Sequence, residues 1–126
     1  MITEDYVSFE TARLLKVKGF DGECDLFCRT DDSELIIHEA AKIAYSQGID
    51  DECIILPTLQ MAMKWLRDVY HLHIVLDVSD TSQLNPKYYV VIWDTTPKRE
   101  SYILDLFNSY EEACEEAIKY CLENLI

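Results

Sequence analysis

The chain has 126 residues, 49% of them hydrophobic and 11% aromatic, which excludes a disordered tail and fits one folded unit of modal domain size. Its longest apolar block, Tyr88 to Trp93, is too short for a membrane-spanning helix. A formal net charge of −13 repels phosphate backbones at long range, so no direct nucleic-acid binding is expected.

That charge is uneven. Residues 20–56 hold ten acids against two bases, whereas residues 57–71 have two bases against one acid. No Gly-, Ser- or Pro-rich linker and no internal repeat interrupts the chain, so residues 1–126 are read as a single globular domain. The N-terminal Met-Ile-Thr-Glu-Asp-Tyr carries acid where a secretory signal carries Lys or Arg. Five cysteines in no stapled-scaffold spacing fit free thiols, and the expected location is cytoplasmic.

The first predicted element is a helix from Ser8. Ser8 is its N-cap, and Val7 and Ala12 are placed for a hydrophobic staple. Phe9, Ala12 and Leu15 recur at helical spacing, Gly19 suits a left-handed C′ position, and Phe20 can fold back onto Leu15. Cys24 to Arg29 and Leu35 to His38 read as a hairpin about Asp31-Asp32-Ser33. Residues 39–52 fit either a helical turn or a loop closed at Gly48.

A second helix is predicted from Thr58, just after Pro57, with Leu59, Ala62, Met63, Leu66 and Val69 on one apolar face. Strands follow at Leu72 to Val78, Tyr88 to Trp93 and Tyr102 to Phe107, the first two separated by Asn85-Pro86. Leu72, Ile74, Leu76 and Val78 alternate with more polar residues, so that strand has one wet face. Tyr88 to Trp93 is apolar throughout, as in a central strand covered on both sides. The last helix opens with the capping box Ser109-Tyr110-Glu111-Glu112. It carries a stripe of Tyr110, Ala113, Cys114, Ala117, Ile118, Cys121, Leu122 and Leu125. The predicted class is therefore α+β, in the order α-β-β-α-β-β-β-α, with three helices packed on one antiparallel or mixed sheet of about five strands.

Four blocks carry a family resemblance. Tyr6 to Lys16 closed by Gly19-Phe20-Asp21, Pro57 to Val69 with His71 and His73-Ile74, Tyr88 to Trp93, and Tyr110 to Ala113 together span roughly half the chain. They resemble a family of small uncharacterised proteins of anaerobic gut bacteria, their phages and integrated mobile elements. Residues 31–52 depart most from it. The resemblance implies a phage or mobile-element context and carries over no activity and no catalytic residue.

Chemistry-bearing residues mostly have a plain structural explanation. Cys24 and Cys28 on one strand would lie about 13 Å apart, too far for a shared zinc or a disulfide. Cys114 and Cys121 are about 10 Å apart along a helix and read as core. His71 and His73 on one strand would point the same way, about 7 Å apart, and could share a metal with His38 or a carboxylate. No spacing designates that third ligand, so half-exposed strand histidines are the preferred reading and no metal is assigned.

Asp31-Asp32-Ser33-Glu34 and Asp50-Asp51-Glu52 lack the spacing and central Gly of a calcium loop. No nucleophile elbow, P-loop or dinucleotide fingerprint is present, and no cofactor is expected. The segment richest in binding-type residues is the second helix. There Trp65 stands beside Gln60, Lys64 and Arg67, with His71 and His73 following. The preferred reading of Trp65 is a widening of the core face.

The function class these features favour is a non-catalytic cytoplasmic interaction protein. It would act through a protein partner or by self-association, with Gln60, Lys64, Trp65, Arg67, His71 and His73 as candidate contact residues. The alternatives are an acidic nucleic-acid mimic that inhibits a host DNA-binding protein, carried by residues 20–56, and a small metal- or thiol-dependent enzyme.

Overall fold

Capped helices and short antiparallel strands account for most of the backbone in the computed structural model, which describes residues 5–21, 26–29, 35–37, 53–79 and 86–126. The chain forms two compact units, Met1–Ala62 and Met63–Ile126. Residues 39–52, read from sequence as a helical turn or a loop, and the acid clusters at Asp31 and Asp50 lie outside the described residues.

In the first unit, α1 (Phe9–Val17) begins where Ser8 Oγ accepts the Thr11 N–H at 3.2 Å. It ends in a Schellman motif: Phe20 N–H donates to Leu15 C=O at 2.9 Å and Gly19 N–H to Lys16 C=O at 3.1 Å. That closure needs the left-handed φ of 91° that Gly19 adopts. Val7, Ala12, Leu15 and Phe20 are all buried, as the staple and the fold-back require.

β1 (Leu26–Arg29), β2 (Leu35–Ile37) and β3 (Cys53–Ile55) form an antiparallel sheet in the order β2-β1-β3. β3 is an addition to the predicted element order. A three-residue strand is too short to show alternation, and its pairing with β1 supplies what periodicity cannot.

Thr58 caps α2 (Leu59–Tyr70), its Oγ1 accepting the Met61 N–H at 3.1 Å. Leu59, Ala62, Met63 and Leu66 are buried as predicted. Val69 is not: it stands 51% exposed in the last turn, beside the chain reversal at His71, whose φ is 60°.

The second unit carries β4 (Leu72–Val78), β5 (Tyr88–Asp94) and β6 (Ser101–Phe107), paired antiparallel in that order. α3 (Tyr110–Tyr120), continued by a π-helical turn over Cys121–Leu125, packs on this sheet. Ser109 Oγ accepts the Glu112 N–H at 3.1 Å, and Glu112 reaches back to the Asn108 N–H at 3.2 Å, one residue before the donor of a standard capping box.

Ala113, Cys114, Ala117, Ile118, Cys121 and Leu122 are buried, together with Leu72, Val90 and Ile92 of the strands. Tyr110, at the head of the predicted stripe, is 41% exposed and meets Tyr88 edge-on with ring centroids 6.2 Å apart.

The protein is thus α+β, but the expectation of one sheet of about five strands is corrected. The described residues carry six strands in two three-stranded antiparallel sheets. No helix among the described residues is long and apolar enough to cross a membrane.

Candidate functional site

Strand pleating sends alternate side chains of β4, β5 and β6 to opposite faces. Leu72, Val90 and Ile92 point to the buried side. The intervening residues form cross-strand rows on the outer face, fixed by the pairing register. One row is His73, Trp93 and Ser101. The next is Val75, Val91 and Ile103, and the last is Asp77, Tyr89 and Asp105.

An outer face of this kind usually carries polar side chains. Here Val75 is 49% exposed, Trp93 50% and Ile103 68%. From His73 to Asp77 the rows extend about 13 Å along the strands and about 10 Å across them. An apolar row crossing all three strands therefore meets solvent, closed at one end by two exposed carboxylates. Tyr89 Oη donates to Asp77 Oδ2 at 3.4 Å. The reading of Tyr88 to Trp93 as a strand covered on both sides is corrected accordingly: β5 is central in the ladder but open on its outer face.

β6 is an edge of this sheet among the described residues. The Asp94 N–H donates to the Glu100 C=O at 2.9 Å, which sets the phase of the ladder. Even-numbered residues of β6 address β5, so the N–H and C=O of Ser101 and Ile103, and the N–H of Asp105, face off the edge. A bulge ends this run, because Asp105 pairs with Tyr89 and Phe107 with Tyr88, leaving Leu106 between them and 62% exposed. Beneath the edge lies a groove of about 200 Å³ lined by Leu104, Phe107, Glu116, Lys119 and Tyr120.

Of the residues singled out from sequence, Gln60, Lys64 and Arg67 share one face of α2, at i, i+4 and i+7. Gln60, Lys64 and Arg67 are exposed on α2, but Trp65 is buried, its ring edge-on to Tyr70 at 5.2 Å. The indole lies at the border of the apolar stripe, and its size carries it into the core. The hot-spot arrangement of an exposed Trp beside Arg is thus absent.

His71 lies outside β4, and its left-handed φ breaks the alternation that would have aligned it with His73. Its C=O accepts from Thr95 N–H at 3.1 Å and Thr95 Oγ1 at 3.2 Å. His73 alone reaches the outer face, opposite Trp93. Among the described residues, no three His, Cys, Asp or Glu side chains form a group able to hold a metal.

Burial pushes the thiol of Cys114 up to about 11 and that of Cys121 to about 12. A thiolate is the nucleophile, so both are inert near neutrality. With iodoacetamide at pH 8, peptide mass spectrometry should find Cys114 and Cys121 unmodified in the native protein and modified in urea. Rapid native labelling of either would contradict this burial. The acid-rich stretch 20–56 lies mostly outside the described residues.

Val75, Trp93, Ile103 and Leu106 were not singled out from sequence. Their signal was indirect: β5 is apolar on both faces, and a single helix follows the three strands in sequence. The chain matches no protein-family model, no curated protein and no solved structure.

Proposed function

We propose that this is a non-catalytic, cytoplasmic interaction protein that works through a protein partner or by self-association, with the outer face of β4–β5–β6 as its contact surface. The resemblance in its sequence blocks supports a phage or mobile-element setting. The observation that carries the reading is the row of exposed Val75, half-buried Val91 and exposed Ile103, flanked by exposed Trp93. Exposed apolar area that crosses a whole sheet costs solubility unless another surface covers it, and Trp is the side chain most enriched at binding hot spots. The acids Asp77 and Asp105 at one end supply polarity and orientation.

A photo-crosslinking residue at Val75 tests this in purified protein and in lysate of the native host. A crosslink to protein is expected in at least one setting, weakened at least about tenfold by the pair Trp93→Ser and Ile103→Ser. Both substitutions lie at exposed positions and should leave the far-ultraviolet circular dichroism unchanged. Crosslinks that are absent in both settings, or that persist in the double variant, would remove the outer face as the contact surface.

A further inference from the structure

We infer that the free edge of β6 is a self-association site, at which Ser101–Asp105 pairs antiparallel with the same segment of a second copy to make one continuous sheet. This rests on the interaction reading above in its self-association form; the edge pairing shares only Ile103 with the outer face and leaves Val75 and Trp93 uncovered.

The pairable window is set on both sides. The turn in which Arg99 N–H donates to Thr96 C=O at 3.0 Å, with Arg99 at φ 51°, closes it before Ser101. The Leu106 bulge closes it after Asp105. Ile103 is the midpoint of that window, and a two-fold axis through Ile103 uses its whole length.

This register matches donors to acceptors. The outward groups of Ile103 meet those of Ile103 in the second copy, and Asp105 N–H meets the Ser101 C=O. It also matches side chains. On the outer face Ile103 meets Ile103, extending the apolar row from one copy into the next, while Ser101 stands opposite Asp105, so no like charges face each other. On the inner face Tyr102 of the second copy comes beside Leu104, over the groove lined by Phe107 and Tyr120.

Centring the pairing on Leu104 would set Ile103 against the Asp105 carboxylate twice, which disfavours that register. Growth beyond two copies is also opposed. At the other edge, the outward-facing N–H of Val78 is already held by Asp77 Oδ1 at 2.7 Å.

Each copy carries −13, so association works against charge repulsion. Salt screens that repulsion and should tighten the dimer, whereas salt would weaken docking of a basic peptide from another protein.

Sedimentation equilibrium of the full chain at low and high salt tests this. The expected result is reversible dimerisation of the 14.7 kDa chain, tighter at high salt. Ser101→Asp sets an acid opposite each Asp105, two like-charge pairs per dimer, and should weaken the dimer at least about tenfold. Adding Asp105→Lys to it should restore the wild-type constant. Ile103→Lys, at a 68% exposed position, should abolish the dimer without unfolding the monomer. Amide exchange gives an independent readout. The Ile103 and Asp105 amides should gain protection with concentration, and those of Tyr102 and Leu104 should be protected throughout.

A strictly monomeric protein overturns the inference while leaving the interaction reading intact if Val75 still crosslinks to another protein. So does a dimer lost in Ile103→Lys but indifferent to Ser101→Asp, which would use the outer face without this register. A dimer untouched by either substitution uses some surface other than the β6 edge and overturns the inference, while the Val75 crosslink still decides the interaction reading.

Discussion

Replacing Ile118 by Ala should lower the unfolding free energy by about 2–5 kcal/mol, read as a shift of the denaturant midpoint at unchanged slope. Ile118 has no accessible surface and sits on the face of α3 that packs against β4, β5 and β6. Its neighbours there include Ala113, Cys114 and Ala117, small side chains with little volume to move into a void. The cost of truncation grows with the cavity that remains, so this site falls toward the upper part of the range. Val69→Ala is the control: an aliphatic truncation at 51% exposure should change stability by less than about 0.5 kcal/mol. Equal effects at the two positions would mean that α3 does not cover the sheet as described.

In the first unit, Leu15→Ala should cost about 2–5 kcal/mol, while Val17→Ala, two residues away in the same helix, should change stability by less than about 0.5 kcal/mol. Leu15 is 1% exposed and Val17 80%. Leu15 also anchors the helix end. Its C=O receives the Phe20 N–H, and both side chains are buried where the motif calls for an apolar contact. Val17 contributes no core area, and Ala is the better helix former, so its replacement can even be slightly favourable. Thermal unfolding followed by circular dichroism compares the two directly. A Val17→Ala loss as large as that of Leu15→Ala would contradict the orientation of α1.

The helix ends were legible because their determinants lie within a few residues of one another. Ser8 with Thr11, Gly19 and Phe20 with Leu15 and Lys16, and Ser109 with Glu112 close hydrogen bonds that are almost independent of the rest of the chain. The buried stripe of α3 was equally readable, since a 3.6-residue period needs only local spacing. The strand segments of the second unit were found for the same reason, and their alternation assigned Leu72, Ile74, Leu76 and Val78 to one face of β4.

The functional surface was less legible. Trp65 and Val69 have similar claims on the apolar stripe of α2, yet one is buried and the other exposed. What separates them is the size of the indole and the chain reversal at His71, neither of which periodicity encodes. Tyr88 to Trp93 reads as fully covered, but among the described residues α3 packs on one face of the sheet and Trp93 on the other is 50% exposed. The histidine pair failed as a constellation because one left-handed residue ends the strand geometry that would have aligned it.

By itself, then, the sequence determined where helices start and stop, which stripe of each is oily, and that strands and helices combine in one α+β chain. The tertiary structure decided how the strands divide between two sheets, which face of β4–β5–β6 stays bare, and that β6 ends its ladder. Caps and periodicity are written in neighbouring residues, whereas coverage of a face depends on segments distant in the chain.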